Sequence, residues 1–321
     1  MKMKTIKKYF VLSQVYVLIC IVGVPFTVAR LSASGASLPQ IIHEKKNGDT
    51  EEYVPAVSST VGGEDMEEYL KGVVAAEMPV SFPLDALKAQ AVASRTYAVR
   101  AVENAEFELA PADIGQAYIT KEKMKENWGE NFETYYAKIC EAVDATAGEI
   151  MEYDGEPILA VFHSTSAGET ETAGNIWNYD LPYLESTDSQ GDTFAPNYEV
   201  TKTISEDEII ASIKEKHPDF QAEAGTLFDT IKINQRSQAG YITDISIAGM
   251  TFTGKEVREA LGLRSSNFTV AKAEDGISFT TKGFGHGAGM SQYGAKYMAE
   301  KGSDYKAILD HYYKNVTIAK L

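Results

Sequence analysis

The sequence predicts an α+β fold: one large extracytoplasmic domain of helices and β-hairpins behind a single N-terminal transmembrane helix. Helical periodicities and short β-like runs mix along the chain without the regular strand–helix alternation of a doubly wound parallel sheet. A stretch of 21 residues near the N-terminus contains no charged side chain. With 321 residues, of which 44% are hydrophobic, the remainder of the chain can bury a sizeable core.

The N-terminal segment is predicted to be a tail and a membrane anchor. Residues 1–8 contain four lysines, and residues 9–29 are uncharged and long enough to cross the hydrocarbon core of a bilayer. The lysines place the N-terminus in the cytoplasm, so we expect a single-pass protein of the cell membrane with its remaining residues outside. A cleaved signal peptide is the alternative, because Pro25 interrupts the apolar run and residues 31–37 are small.

The remaining elements follow from periodicity and turn signals. Residues 30–56 are expected to form a tether and a hairpin that turns at Asn47-Gly48. We expect the catalytic domain to cover residues 57–321. The predicted helices cover about residues 67–77, 83–103, 132–147, 205–215, 255–262, 292–301 and 304–313. The predicted strands are a hairpin over residues 150–163 and strands near 230–234, 241–247 and 277–282.

Charge and cysteine content exclude several functional classes. The net charge is −16, and residues 1–30 hold five basic and no acidic groups, which leaves 25 basic against 46 acidic groups, or −21, in the remainder. Such a domain repels nucleic acid and suits a neutral or cationic partner, unless the charge serves solubility alone. Two cysteines, one of them inside the apolar run, are too few for a disulfide framework, a Cys-based zinc finger or an iron–sulfur cluster.

A carboxylate lies where an apolar residue is expected on the first helix of the domain. Leu70, Val73, Val74 and Glu77 have the i, i+3, i+4, i+7 spacing of one buried stripe. Burial raises the pKa of a carboxyl group because the charged form loses its hydration. A carboxyl group that holds its proton near neutral pH can act as a general acid, so Glu77 is a candidate catalytic residue.

Arg95 occupies a similar position on the apolar face of the second helix. An inward Glu77 and an inward Arg95 could form a structural ion pair, which is the alternative to a catalytic role. A close guanidinium would also lower the pKa of the carboxyl group. If Glu77 is the acid, Arg95 is therefore expected to bind the substrate or a backbone carbonyl.

A hydroxyl-rich loop follows the predicted strand that ends at His163. Residues 163–168 include Ser164 and Ser166, whose hydroxyl groups can hydrogen-bond sugar hydroxyls or acetamides. An ordinary turn is the alternative interpretation.

A glycine-rich loop precedes the predicted helix at residue 292. Residues 283–294 place alternate glycines around His286 and end with Gln292 and Tyr293 near the start of the helix. Glycines allow close backbone approach and special dihedral angles. The spacings of the Walker and dinucleotide-binding motifs are absent, which leaves a binding-site wall or a fold-specific tight turn.

Four segments together resemble the stage II sporulation protein D family. They are residues 69–97 (YLKGVVAAEMPVSFPLDALKAQAVASRTY), 162–168 (FHSTSAG), 261–268 (LGLRSSNF) and 283–294 (GFGHGAGMSQYG). The resemblance runs from about residue 53 to residue 313 and includes the N-terminal anchor. The related amidase-enhancer proteins share the same domain and are the nearest alternative family.

The resemblance implies a peptidoglycan lytic transglycosylase, without a cofactor, that is required for engulfment during sporulation. Such an enzyme cleaves glycan strands stripped of their stem peptides and forms 1,6-anhydro-muramic ends. The family's catalytic glutamate falls on Glu77 and its arginine on Arg95, with Ser94 where alanine is usual. Some members hold zinc through Cys and His, but residues 112–118 (ADIGQAY) contain neither, so no metal is expected.

The resemblance and the two loops supply the expected substrate-binding residues. Gln116 and Tyr118 match the family's polar and aromatic pair. The full expected set is Arg95, Gln116, Tyr118, His163, Ser164, Ser166, His286, Gln292 and Tyr293.

The expected partners are denuded glycan strands, a peptidoglycan amidase and a membrane scaffold of the engulfment machinery. Two other functions stay open. The chain could be a non-catalytic, glycan-binding activator of a cell-wall amidase, with Glu77 structural, or a purely structural tether between membrane and wall.

Overall fold

The computed structural model describes residues 60–105 and 109–321. The predicted tail, anchor and tether with its hairpin, residues 1–56, lie outside the described residues. Within the described ranges, no helix is both long and apolar enough to cross a membrane. Helices and antiparallel sheets mix along the chain, and the predicted α+β class is confirmed.

The elements have the following bounds. The helices are α1 (Met66–Glu77), α2 (Leu84–Glu103), α3 (Lys121–Trp128), α4 (Phe132–Asp144), α5 (Ala173–Trp177), α6 (Glu206–Lys216), α7 (Leu227–Thr230), α8 (Gly254–Leu261), α9 (Gln292–Glu300) and α10 (Tyr305–Tyr312). The strands are β1 (Thr60–Val61), β2 (Glu64–Asp65), β3 (Glu149–Tyr153), β4 (Glu156–Pro157), β5 (Phe162–His163), β6 (Glu199–Ile204), β7 (Lys232–Arg236), β8 (Ile242–Ile247), β9 (Met250–Phe252), β10 (Phe268–Ala273), β11 (Gly276–Lys282), β12 (Met290–Ser291) and β13 (Thr317–Lys320).

The chain divides into two compact units, with boundaries inside helices α2 and α4. The described part of the first unit comprises residues 60–80, 98–105 and 109–141. The second unit comprises residues 81–97 and 142–321. The expected single catalytic domain from residue 57 stays a prediction.

Helix α1 organises the first unit. Asp65 caps its N-terminus, because the side chain accepts hydrogen bonds from two backbone N–H groups of the first turn that lack helical partners. Leu70, Val73 and Val74 are fully buried, as their spacing predicts. The backbone N–H of Ile119 donates to the carbonyl of Gly72 over 3.3 Å, so the chain around residue 119 runs against this helix.

Two antiparallel sheets of the second unit share one hydrophobic core with helices α6, α7 and α8. Strand β11 lies between β10 and β6, and β7, β8 and β9 form a meander. Ser205 caps α6, because its side chain accepts a hydrogen bond from the Glu208 N–H. The core is formed by buried side chains such as Ile209, Ile245, Val257, Phe268 and Phe279.

The predicted hairpin over residues 150–163 is wrong in its second half. Strand β3 turns into β4 as expected, but β4 ends at Pro157. Residues 158–161 then turn locally, with hydrogen bonds from Ala160 to the Ile158 carbonyl and from Val161 to the Leu159 carbonyl. Strand β13 pairs with the other edge of β3, and β5 pairs in parallel with β12.

The observed bounds of the other predicted elements differ less from the predicted ones. The helix expected over residues 132–147 ends at Asp144, and the strand expected near 230–234 covers Lys232–Arg236. Helix α3 and strands β6, β10 and β13 were not expected. Helix α3 buries only Met124, so it lacks the apolar stripe on which the prediction depends.

We predict that Gly72→Ala destabilises the protein, although alanine is intrinsically the better helix former. A Cβ at residue 72 would overlap the Tyr118 ring and lie 2.8 Å from the Ile119 carbonyl oxygen. Forcing an extra carbon into such packing costs about 1–3 kcal/mol of unfolding free energy. Urea unfolding measures the change.

The matched control is Glu68→Ala, an exposed position on the same helix, which should stay within about 0.5 kcal/mol of the parent protein. A Gly72→Ala variant as stable as the parent would contradict the packing described for Tyr118.

Candidate functional site

Glu77 is the last residue of α1 and is half-buried, at the end of the buried stripe. The backbone N–H of Ala117 donates a 2.8 Å hydrogen bond to its Oε1. This donor fixes the direction of the carboxyl group relative to the helix. No side-chain pattern could have revealed Ala117, because its contribution comes from the backbone.

Gln116 and Tyr118 flank Ala117 and lie in the same unit as Glu77. The Tyr69 hydroxyl donates to Gln116 Oε1 over 3.2 Å, and the rings of Tyr69 and Tyr118 stack with centroids 5.5 Å apart. Gln116 is 5% exposed, whereas Tyr118 is half-buried. Burial, reinforced by the nearby Glu64 carboxylate, raises the pKa of Tyr118, so its hydroxyl is neutral and can donate a hydrogen bond. We call Glu77, Gln116, Ala117 and Tyr118 the Glu77 group.

Arg95, in the second unit, has no exposed surface. Its guanidinium donates to the Glu149 carbonyl over 3.0 Å and to the Val143 carbonyl over 3.4 Å. Val143 lies in the last turn of α4, where free carbonyls carry the negative end of the helix dipole. The role of Arg95, whether in an ion pair with Glu77 or on the substrate or a backbone carbonyl, stays a prediction. The two bonds to backbone carbonyls favour a positioning role for Arg95 over direct substrate contact.

The two loops singled out in the sequence pair with each other in the second unit. Strands β5 and β12 bring Phe162 beside Met290. Beyond β5, Thr165 and Phe284 exchange backbone hydrogen bonds of 3.0 and 2.7 Å. The Tyr293 N–H also donates to the Ser164 carbonyl over 3.1 Å. We call residues 163–168 and 283–294 together the paired-loop site.

A buried carboxylate, Asp192, stabilises the paired-loop site through hydrogen bonds. Asp192 accepts hydrogen bonds from the Ser166 N–H at 2.8 Å, the Ser189 hydroxyl at 3.0 Å and the Ser291 hydroxyl at 2.6 Å. Burial raises the pKa of Asp192, and these hydrogen bonds oppose the rise. Asp192 was not expected, because it lies in a short turn with no periodicity and its partners are distant in sequence.

His163 and His286 meet in the paired-loop site, with ring centroids 5.6 Å apart. His163 Nδ1 lies 3.0 Å from the Ala288 carbonyl oxygen, which only accepts, so Nδ1 carries the proton. His163 Nε2 is buried without a hydrogen-bond partner. The Ala288 N–H donates to His286 Nδ1 over 3.1 Å, and Trp177 packs 5.4 Å from the His286 ring.

Both histidines are uncharged at neutral pH. Burial lowers the pKa of His163 to about 4, against a partly compensating hydrogen bond to Ala288. Burial, followed by the neighbouring His163 and Arg258, lowers the pKa of His286 well below its ordinary value.

The expected ligand-contacting residues of this site differ in accessibility. His163, Ser166 and Gln292 are 4%, 0% and 7% exposed, and the Gln292 amide donates to Gln90 over 3.2 Å. Ser164, His286 and Tyr293 are half-buried. The second group can therefore contact a ligand, whereas the first group supports the loops.

The described residues place no three His, Cys, Asp or Glu side chains close enough together to hold a metal ion. Residues 112–118, which were expected to hold no metal, supply an amide and a phenol, Gln116 and Tyr118. The expected absence of a metal stays a prediction.

Comparison with known proteins gives two family matches. A family described as stage II sporulation protein matches residues 46–153, a span that contains Glu77, Arg95, Gln116 and Tyr118. A domain of unknown function matches residues 171–289.

Several individual relatives align with most of this chain. Stage II sporulation protein D of Bacillus amyloliquefaciens is 41% identical over 266 residues, which cover 79% of this chain and 74% of that protein. The protein of the same name from Bacillus subtilis (strain 168) is 39% identical with the same coverage. The amidase enhancer of Bacillus subtilis (strain 168) is 28% identical over 299 residues, covering 78% of this chain and 40% of that protein.

We predict that His163→Asn weakens the acid sensitivity of folding. The unfolded chain binds a proton at residue 163 near the ordinary pKa of 6.5, whereas the folded chain binds it only at about 4. The unfolding free energy therefore falls as the pH drops from 6.5 to 4, by about 3 kcal/mol from this residue. Asparagine retains an N–H donor for Ala288 and does not titrate.

Urea unfolding at several pH values between 7 and 4 measures the effect. Ser164→Ala, which alters the same loop without a titrating group, should follow the parent curve. If the His163→Asn curve ran parallel to the parent curve, the assignment of a neutral buried His163 would be wrong.

Proposed function

We propose that this chain, which belongs to the stage II sporulation protein D family, is a lytic transglycosylase that cleaves peptidoglycan glycan strands stripped of stem peptides. Family membership makes it a protein involved in sporulation. The proposed reaction is intramolecular transglycosylation at muramic acid, with 1,6-anhydro-muramic ends as products and no cofactor.

One observation carries the proposal: the position of the Glu77 carboxyl group. It follows a fully buried apolar stripe on α1, is half-buried itself, and has one oxygen fixed by the Ala117 N–H. A carboxyl group held in one direction at the edge of a core is suited to proton transfer, because orientation is set before the substrate arrives.

A single carboxyl group can complete this reaction. Ordinary glycosidases need a second carboxylate, as a base or as a nucleophile. Here the nucleophile is the C6 hydroxyl of the muramic acid. Glu77 gives its proton to the bridging oxygen as the bond from C1 to that oxygen breaks. It then takes the proton of the C6 hydroxyl as the C1–O6 bond forms, which restores the acid.

The substrate supplies the remaining chemistry. The acetamide of muramic acid can stabilise the positive charge that develops at C1. Attack by a hydroxyl of the same sugar gains from effective concentrations that reach about 10⁵ M or more in well-oriented systems. No water is consumed, so the reaction needs no activated water or metal-bound hydroxide.

Other side chains have supporting roles in this proposal. In the first unit, the Tyr118 hydroxyl provides a polar group for sugar hydroxyls and acetamides. In the second unit, taken by itself, the half-buried Ser164 and Tyr293 provide polar and aromatic surface for sugar hydroxyls and ring faces. Arg95 fixes the end of α4.

A second candidate function is a non-catalytic, glycan-binding activator of a cell-wall amidase. The 28% identity with the amidase enhancer favours it. In that case Glu77 is structural, and the purified chain binds glycan without producing anhydro ends.

We also propose a setting for the activity. The chain is anchored in the cell membrane by residues 9–29 with its N-terminus in the cytoplasm, and it works in a complex with a peptidoglycan amidase and a membrane scaffold of the engulfment machinery. The amidase would remove stem peptides and so supply the substrate.

The proposed topology predicts the result of proteolysis on intact protoplasts. Protease added outside should degrade residues beyond the anchor and leave a membrane-bound stub that retains the N-terminal lysines. A cytoplasmic marker protein serves as the control for lysis. Complete protection of the chain in intact protoplasts would contradict an extracytoplasmic domain.

We predict that Glu77→Gln abolishes product formation without unfolding the protein. Glutamine preserves size and an oxygen that can accept from Ala117, but it cannot supply the proton. General acid–base catalysis contributes about 10²–10⁴-fold, and loss of the only such group should reach the upper part of this range. Mass spectrometry of peptide-free glycan after incubation measures anhydro ends, and thermal unfolding is recorded beside it.

The matched control is Glu68→Gln, the same change at an exposed position of the same helix, which should retain full product formation. A structural Glu77 in a buried ion pair would give the opposite pattern, with a loss of about 3–5 kcal/mol of stability and of glycan binding. A stable Glu77→Gln variant that still releases anhydro ends would rule out Glu77 as the acid.

A further inference from the structure

Arg264 lies against the paired-loop site and has no acidic partner among the residues that the structure describes. Its guanidinium carbon lies 4.2 Å from the centre of the Phe284 ring, and the Gly285 N–H donates to its carbonyl over 3.0 Å. Of the carboxylates in residues 60–105 and 109–321, none comes within 4.0 Å of the Arg264 guanidinium nitrogens. Its Nε is buried and has no hydrogen-bond acceptor.

The other arginines that the structure describes in this unit, Arg95, Arg236 and Arg258, donate side-chain hydrogen bonds to backbone carbonyls. Arg95 donates to two backbone carbonyls, and Arg236 donates to the Gly240 and Phe268 carbonyls over 2.8 Å each. A buried donor without a partner is uncommon, because it has given up its hydrogen bonds to water. Arg264 as a whole is only half-buried, and the described residues offer its side chain no hydrogen-bond acceptor, so its terminal N–H groups can donate to a ligand.

Other basic residues lie near Arg264, and the Arg258 Nε–H donates to the Arg264 carbonyl over 3.2 Å. Arg258 and Lys255 both add to the positive potential at His286, in a chain whose net charge is −16. Two carboxylates are buried beside the glycine loop. Asp192 accepts hydrogen bonds from Ser166, Ser189 and Ser291. Glu171 has its Oε1 engaged by the Thr172 N–H and the Asn175 amide, whereas its Oε2 has no hydrogen-bond partner. Tyr293, half-buried in the same site, interacts electrostatically with Arg264.

Removal of a stem peptide changes the charge of muramic acid. The peptide is joined through an amide to the lactyl group, and hydrolysis of that amide leaves a lactyl carboxylate on the sugar. A strand that retains its peptides has a neutral amide at this position. A cation in the binding site can therefore distinguish a denuded strand from an intact one.

We propose that Arg264 determines specificity for denuded strands by binding the lactyl carboxylate of a peptide-free muramic acid. The proposal rests on the function proposed above, because it assumes that this site receives the glycan. The planar guanidinium can engage both carboxylate oxygens at once, and stacking on Phe284 holds its plane. An amide at the same position offers one oxygen without charge and makes the weaker contact.

The test compares two probes that differ only in this charge. The first is a tetrasaccharide of alternating N-acetylglucosamine and N-acetylmuramic acid with free lactyl carboxylates. The second is the same tetrasaccharide with each carboxylate converted to a carboxamide. Binding of both probes is measured by calorimetry with the full chain carrying Glu77→Gln, so that neither probe is cleaved.

We expect the carboxylate probe to bind roughly 10- to 100-fold more tightly than the carboxamide probe, as a charged hydrogen bond implies. Adding Arg264→Gln should make the two affinities equal and leave the carboxamide affinity unchanged. Arg264→Lys, which keeps the charge, should retain part of the preference. The control Lys272→Gln, which removes one exposed positive charge from β10, should retain all of it.

Three results would overturn the proposal. The first is equal affinity of the parent for the two probes, and the second is an undiminished preference of Arg264→Gln for the carboxylate probe. The third is that Arg264→Gln and Arg264→Lys, although folded, lose affinity for both probes to the same extent. Assays of anhydro ends with the unmutated chain separate this inference from the proposed reaction. If the chain produces anhydro ends but does not prefer the carboxylate probe, only the role proposed for Arg264 is refuted. If the preference for the carboxylate probe depends on Arg264 but no anhydro ends form, only the proposed transglycosylase reaction is refuted.

Discussion

The backbone pairing between two short segments, residues 162–165 and 284–291, is the constraint on which the second unit's candidate site depends. It joins chain segments more than a hundred residues apart through β5, β12 and the Thr165–Phe284 bridge. The close approach requires glycine. Gly285 has a φ of +122°, and a Cβ there would lie 2.6 Å from the His163 Cβ. Gly285 of the glycine-rich motif is therefore explained by its packing against His163 of the hydroxyl-rich loop.

Local patterns predicted those parts of the site whose signal lies within one helix or one loop. The i, i+3, i+4, i+7 spacing identified Glu77, and the apolar face of α2 identified Arg95, which the structure buries completely. Asp192 and the Ala117 N–H could not be found in this way. Asp192 is defined by three partners that only tertiary folding assembles, and Ala117 contributes a backbone group that every residue but proline has.

The restriction of sequence patterns to local signals also explains which secondary-structure elements were predicted wrongly or missed. Strand β6 is largely solvent-exposed and pairs with β11, about 75 residues further along the chain, so neither its composition nor its neighbours indicate a strand. Strand β13 pairs with β3 over a still greater separation. The extended hairpin was expected because residues 150–163 have β-like composition, but Pro157 and the turn that follows end the pairing.

Electrostatics limits which group can supply a proton. The paired-loop site contains two histidines, the usual general acids at neutral pH. Burial and neighbouring positive charges lower the pKa of both, to about 4 for His163 and well below the ordinary value for His286, so neither carries a proton to donate as an imidazolium at pH 7. Burial is the larger cause of the lowered pKa in both histidines, and Arg258 adds to it. In the proposed reaction these histidines therefore act as neutral hydrogen-bonding groups, and proton transfer is assigned to a carboxyl group, that of Glu77.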